Sequence, residues 1–135
     1  MGILKLENVG YRYKDAPKDS FVFKNINYEF EQGKTYAIKG KSGSGKTTLL
    51  SLITGLEKCT EGGILYDGKS LKKMNLDRYR NTDIGIVFQS YNLLPRLTAI
   101  ENIMVSMEIS KVKVKNKKEK ALELMNCVMR LSSPM

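Results

Sequence analysis

The chain has 135 residues, 41% of them hydrophobic and 27% charged, and carries a net charge of +9. That is the make-up of one globular domain, not of a disordered tail. There is no histidine, and Cys59 and Cys127 stand outside any C-x-x-C spacing. Ser-His and Cys-His catalysis are therefore excluded, zinc is disfavoured, and two isolated cysteines suit a reducing cytosol.

The N-terminus, Met1 to Lys5, lacks the apolar core of a signal peptide, and Leu6 stands where a myristoylation signal needs Ser or Thr. The longest apolar stretches, such as Ile84 to Phe88, fall far short of the roughly 18 residues of a spanning helix. A soluble chain is expected, with any membrane association made through a partner.

Ile3 to Val9 alternates like a strand. Tyr11 and Tyr13 follow in a polar stretch, and Asp15 to Ser20, with Pro17, reads as a loop. Ile26, Tyr28 and Phe30 alternate with Asn25, Asn27 and Glu29, which predicts a strand with one buried face. Gln32-Gly33 turns the chain, and Thr35 to Lys39 is a short β-rich run. These early strands are expected to be antiparallel.

Lys46 to Ile53 reads as a helix with Leu49, Leu50 and Ile53 on one face, ended by Gly55. Gly63 to Tyr66 is a predicted strand, turned at Asp67-Gly68. Leu76 to Arg80 is a weak helical turn. Asp83 to Phe88, apolar on both faces, suggests a strand inside a parallel sheet. Thr98 and Glu101 match a capping box that opens a helix to about Ile109. Lys117 to Leu131 places Leu124, Val128 and Leu131 on one helical stripe.

The run Gly40-Lys41-Ser42-Gly43-Ser44-Gly45-Lys46-Thr47 fits G-x-x-x-x-G-K-[ST]. A triphosphate presents several anionic oxygens that need donors at close range. Gly40, Gly43 and Gly45 let the backbone turn tightly and bring its N–H groups to the phosphates. The helix beginning near Lys46 aims its free N–H groups and positive dipole end at the same place. Lys46 reaches the β- and γ-phosphates as a mobile charge, and the Thr47 hydroxyl can ligate Mg²⁺. The reading is ATP with magnesium. A β-rich run before the loop and an apolar-faced helix after it supply the context the motif requires.

Together, Gly-Lys-Ser-Gly-Ser-Gly-Lys-Thr-Thr at Gly40 to Thr48 and IGIVFQSYNLLPRLTAIEN at Ile84 to Asn102 resemble the nucleotide-binding domain of ABC transporters. The nearest subgroup is that of macrolide, lipoprotein and antimicrobial-peptide exporters. The resemblance runs from Leu6 to near Leu131. It implies an α/β, ABC-type P-loop NTPase fold with an N-terminal antiparallel β-subdomain and the start of a helical subdomain. It also implies that Tyr13 stacks on adenine, with Tyr11 a competing choice. Gln89 resembles the family's loop glutamine, which approaches Mg²⁺ and the attacking water. Implied partners are a transmembrane permease subunit and a second nucleotide-binding domain, at the inner face of the cell membrane.

The chain contains no L-S-G-G-Q signature, no apolar strand ending in Asp-Glu after the loop, and no switch histidine. A domain lacking its C-terminal half is expected, through a truncated frame or an incomplete fragment, with the pattern dissolving over Ser132 to Met135. Such a half-site should bind ATP better than it hydrolyses it. The alternative is a non-catalytic nucleotide-binding or interaction fragment. Lys111, Lys113, Lys115, Lys117, Lys118 and Lys120, offset by Glu119, make a basic run that raises nucleic acid or an anionic membrane as partner. No aromatic residue is interleaved to stack on bases, so it reads first as a solvated loop, and nucleic acid is not expected.

Overall fold

The computed structural model describes residues 2–132, with the helical backbone alone at Leu131 and Ser132. The expected dissolution of the pattern toward Met135, and the place of the Leu131 side chain on its stripe, lie outside the described residues. The chain divides into two units, residues 1–84 and 85–135.

The first unit is built on a four-stranded antiparallel sheet in the order β2-β1-β3-β4. Its strands are β1 (Gly2–Tyr11), β2 (Phe23–Glu31), β3 (Glu61–Tyr66) and β4 (Lys69–Ser70). Leu6, Val9 and Tyr11 are all buried, a spacing that simple alternation does not allow. An irregularity between Leu6 and Val9 restores the face: Asn8 adopts φ 49° and the next side chains turn inward. Asn27 satisfies the bulge from β2, its Oδ1 accepting from the Asn8 N–H at 2.9 Å and its Nδ2 donating to Asn8 Oδ1 at 3.0 Å.

On β2 the predicted face of Ile26, Tyr28 and Phe30 is only partly covered, and Tyr28 stays exposed. Tyr28 and Phe30 pack edge to face at 4.8 Å, and Tyr36 packs on Phe30 at 5.0 Å.

Helix α1 (Lys46–Ile53) lies on the core through Leu52, at 1% exposure, while Leu50 is 51% exposed. The expected face of Leu49, Leu50 and Ile53 is thus rotated: Leu49 and Ile53 are partly buried beside Leu52. Gly55 follows at φ 70°, as predicted for the helix end. A short helix α2 (Leu76–Arg78) runs into a π turn at Tyr79–Asp83. That turn secures the end of α1: the Tyr79 hydroxyl donates to the Ile53 carbonyl at 3.0 Å, and Arg80 Nη1 donates to the Gly55 carbonyl at 2.8 Å.

Two predicted strands do not form. Residues 35–39 join no ladder, and Asp83 closes the π turn while residues 84–88 stay irregular. A strand exists through its inter-strand hydrogen bonds. Among the described residues neither segment meets a partner edge, and every pairing is antiparallel.

The second unit is a pair of packed helices, α3 (Ala99–Ile109) and α4 (Lys117–Ser132), preceded by irregular chain. The capping box forms as predicted: the Glu101 N–H donates to Thr98 Oγ1 at 3.3 Å, and the Thr98 N–H donates to Glu101 Oε2 at 2.7 Å. Those Thr98 hydrogen bonds hold the Glu101 carboxyl below its usual range. Helix α4 is anchored by the fully buried Ala121, while Leu124 and Val128 of the predicted stripe are exposed.

Tyr79 is the largest fully buried side chain, and burial pushes its hydroxyl from 10.0 up to about 12. A pKa raised by folding gives stability that is fully present below the unfolded value and lost as pH rises through the folded one. Tyr79→Phe should cost about 1–2 kcal/mol in urea unfolding at neutral pH. It should also flatten the loss of stability that the native chain shows between about pH 10 and about pH 12. An unchanged midpoint would show that the bond to Ile53 contributes nothing.

Candidate functional site

The glycine-rich run is exposed over residues 40–44 and half-buried at Gly45 and Lys46, where it enters α1. The Ser44 N–H donates to the Lys41 carbonyl at 3.1 Å and closes a turn. Gly45 caps the helix at φ 87° without a side-chain partner, and the first helical bond runs from the Leu49 N–H to the Gly45 carbonyl at 2.9 Å. The N–H groups of Lys46, Thr47 and Thr48 therefore have no acceptor within the helix. No acidic residue sits in this first turn to neutralise it. A positive, donor-rich end is left facing the loop.

Lys46 completes that charge. Its ammonium donates to the Gly40 carbonyl at 2.7 Å, to the Lys41 carbonyl at 2.8 Å and to Ser44 Oγ at 3.3 Å. The side chain bends back over its own loop, so the cation is held at the mouth of the turn. Ser42 and Thr47 are exposed on the same stretch. Among the described residues no group of three or more His, Cys, Asp and Glu could hold a metal ion. The Thr47 hydroxyl is a hard oxygen donor, which suits magnesium but supplies a single ligand.

The end of β1 brings Tyr13 to this loop. Thr60 Oγ1 accepts from the Arg12 N–H at 3.0 Å and donates to the Arg12 carbonyl at 3.3 Å, which fixes the chain just beyond the strand. Arg12 Nη1 donates to the Ala16 carbonyl at 2.8 Å and closes the turn that follows. Tyr13 projects from it, 55% exposed, with its hydroxyl 3.2 Å from Thr48 Oγ1. Tyr11 is buried in the core and packs edge to face on Tyr13 at 5.2 Å. Of the two tyrosines, only Tyr13 offers an accessible ring beside the loop.

Gln89 belongs to the second unit, where it stands exposed at a bend. The same unit holds a brace that sequence reasoning missed. The Asn102 side chain accepts from the Leu94 N–H at 2.8 Å and donates to the carbonyls of Leu97 and Thr98 at 3.2 and 3.0 Å. An asparagine one position after a capping-box glutamate is the signal that could have found it. The Tyr13 to Thr48 contact, by contrast, joins residues 35 apart and has no local signature.

A separate cavity of about 410 Å³ lies away from the loop, lined by Leu52, Cys59, Ile64, Leu71 and Met74 among others. Burial pushes the Cys59 thiol up, which lowers its reactivity.

A family model described as "ABC transporter" matches residues 23–133. The chain is 48% identical over 128 residues to the uncharacterized ABC transporter ATP-binding protein YclH of Bacillus subtilis, covering 95% of this chain and 56% of that protein. It is 35% identical over 131 residues to the lipoprotein-releasing system ATP-binding protein LolD of Francisella tularensis, covering 95% and 55%. A solved ATP-binding cassette, the dimer of MJ0796 bound to ADP and Pi, superposes with a TM-score of 0.80 at 35% identity, over 89% of this chain and 54% of that one. The P-loop cassette fold is thereby shown, although the sheet among the described residues is wholly antiparallel. The chain spans about half the length of the curated relatives it matches.

A Cβ at Gly45 would lie 2.6 Å from Val22 Cγ1 and 3.0 Å from Phe23 Cδ1, in a left-handed backbone. Gly45→Ala should therefore destabilise the first unit by about 2–3 kcal/mol in chemical unfolding. A loss below about 0.5 kcal/mol would mean that the loop is free to move away from the start of β2.

Proposed function

This chain belongs to the ABC transporter family, and from that premise we propose that it is the ATP-binding part of a transporter's motor subunit. The observation that carries the proposal is the Lys46 ammonium held over the loop at 40–47, at the positive end of α1. Backbone N–H groups and the Lys46 charge bind the β- and γ-phosphates. The solved relative was captured with ADP and Pi, a nucleotide and a phosphate, which supports this reading.

Residues 1–135 form, in this proposal, the N-terminal portion of the cassette domain. Gly40, Lys41, Ser42, Gly43, Ser44 and Gly45 wrap the phosphates, with Thr47 and Thr48 at the helix start. Thr47 would hold magnesium through its hydroxyl, and Gln89 is proposed, from its resemblance to the family's loop glutamine alone, as an amide that acts on magnesium and the attacking water. Bound with the nucleotide, magnesium would neutralise charge at the phosphates, with Thr47 supplying it a hydroxyl oxygen. Tyr13 presents its ring to the adenine, and the bond to Thr48 orients it.

A permease subunit and a second nucleotide-binding domain are the proposed partners, and export across the membrane is the proposed task. No described helix is long and apolar enough to cross a membrane. The chain would act at the inner face through its permease. The 135 residues hold no L-S-G-G-Q and no histidine, so this chain alone should bind ATP better than it hydrolyses it. That same observation favours a second reading, a non-catalytic nucleotide-binding fragment. Clear Lys46-dependent turnover by the purified chain would reject the second reading.

Isothermal titration with Mg-ATP tests the phosphate role. Lys46→Ala should weaken binding at least about tenfold, because charge-assisted hydrogen bonds to phosphate are lost. Equal affinity in that variant would sink the proposal. For the ring, Tyr13→Phe should hold ATP affinity within about twofold, whereas Tyr13→Ala should lose about tenfold. Equal affinities in both variants would assign the base contact elsewhere.

A further inference from the structure

The lysine run has no part in the nucleotide site, and it is not a loose tail. It forms the connection between α3 and α4 and the first turn of α4. The Lys117 ammonium, 2.6 Å from Glu108 Oε1, ties the start of α4 to the last turn of α3. The Lys111 N–H donates to the Glu108 carbonyl at 3.1 Å, and the Val112 N–H to the Met107 carbonyl at 3.0 Å. Asn116 Oδ1 accepts from the Glu119 N–H at 3.2 Å and caps α4. The connection is thus built from both ends.

Charge on this connection is only partly answered. Lys117 pairs with Glu108, and Lys120 with Glu123 at 2.8 Å. Lys111, Lys113, Lys115 and Lys118 are exposed and have no ion pair among the described residues. Lys118 also sits at the positive end of α4, where a cation opposes the helix dipole. Four cations without an ion pair among the described residues, with Glu119 as the one unpaired carboxylate in the run, thus crowd one end of a helical hairpin at a cost to its own stability. Ile109 and Val112 are exposed beside them, at 59% and 39%. Residues 110–120 contain no aromatic side chain to stack on bases.

We infer that this end of the hairpin is a docking surface for an anionic phospholipid membrane. Unpaired lysines attract the headgroup phosphates, and Ile109 and Val112 supply the apolar contact that free phosphate or nucleic acid would not use. This inference does not rest on nucleotide binding. It would give the chain a direct contact with the bilayer in addition to any made through a permease.

The test is co-sedimentation of the 135-residue chain with vesicles of phosphatidylglycerol and phosphatidylcholine, and with phosphatidylcholine alone. Binding should require the anionic lipid and should fall at least about tenfold between about 50 mM and about 500 mM salt. K113Q/K115Q/K118Q, which removes exposed charges only, should lose at least about tenfold while circular dichroism and Mg-ATP affinity stay unchanged. Ile109→Ser should weaken vesicle binding and leave any binding to a duplex oligonucleotide unaltered. No binding to anionic vesicles at low salt would overturn the inference. So would full binding by the triple variant, or tighter binding to the oligonucleotide than to vesicles through the same lysines.

Discussion

Helix α1 has eight residues, too few to be stable by itself in water. It persists because its far end is held. Leu52 is sunk into the core, the Tyr79 hydroxyl takes the Ile53 carbonyl, and Arg80 takes the Gly55 carbonyl. These bonds answer carbonyls at the negative end and bring a guanidinium to it. Nothing comparable caps the other end, where Gly45 has no side chain to give. An asymmetry in capping is therefore what leaves one end of the helix available to an anion.

The position of the aromatic ring follows from the strand that carries it. Without the bulge at Asn8, strict alternation would turn Val9 and Tyr11 away from the core. The Asn8 to Asn27 amide pair stabilises that bulge, and Thr60 then fixes residue 12. Tyr11 is left inside and Tyr13 outside, touching Thr48. The accessible ring beside the loop thus depends on an extra residue several positions earlier in the chain.

Features with local causes were legible in the sequence. The loop at 40–47, the Thr98 to Glu101 box and the Gly55 stop each depend on residues within a few positions of one another. Features set by distant partners were not. Period alone pointed to Leu50, yet Leu52 is buried, because the sheet and the π turn decide which side of α1 is covered. Residues 35–39 have strand composition, but composition does not supply a neighbour. That Tyr11 is buried and Tyr13 accessible follows from the bulge, which alternation alone does not give. The Gln89 role comes from family resemblance, and its own exposed bend carries no chemical signature.

The back-folded Lys46 bears on selectivity. Its ammonium already has three oxygen neighbours, so an arriving anion must outcompete them before it meets the full positive charge. A singly charged ion gains little from that exchange, because each displaced carbonyl is itself a good acceptor. A polyanion can replace all three at once while also meeting the helix end. On the proposed function, this arrangement would make the loop a valence filter, weakly responsive to chloride and strongly responsive to a chain of phosphates.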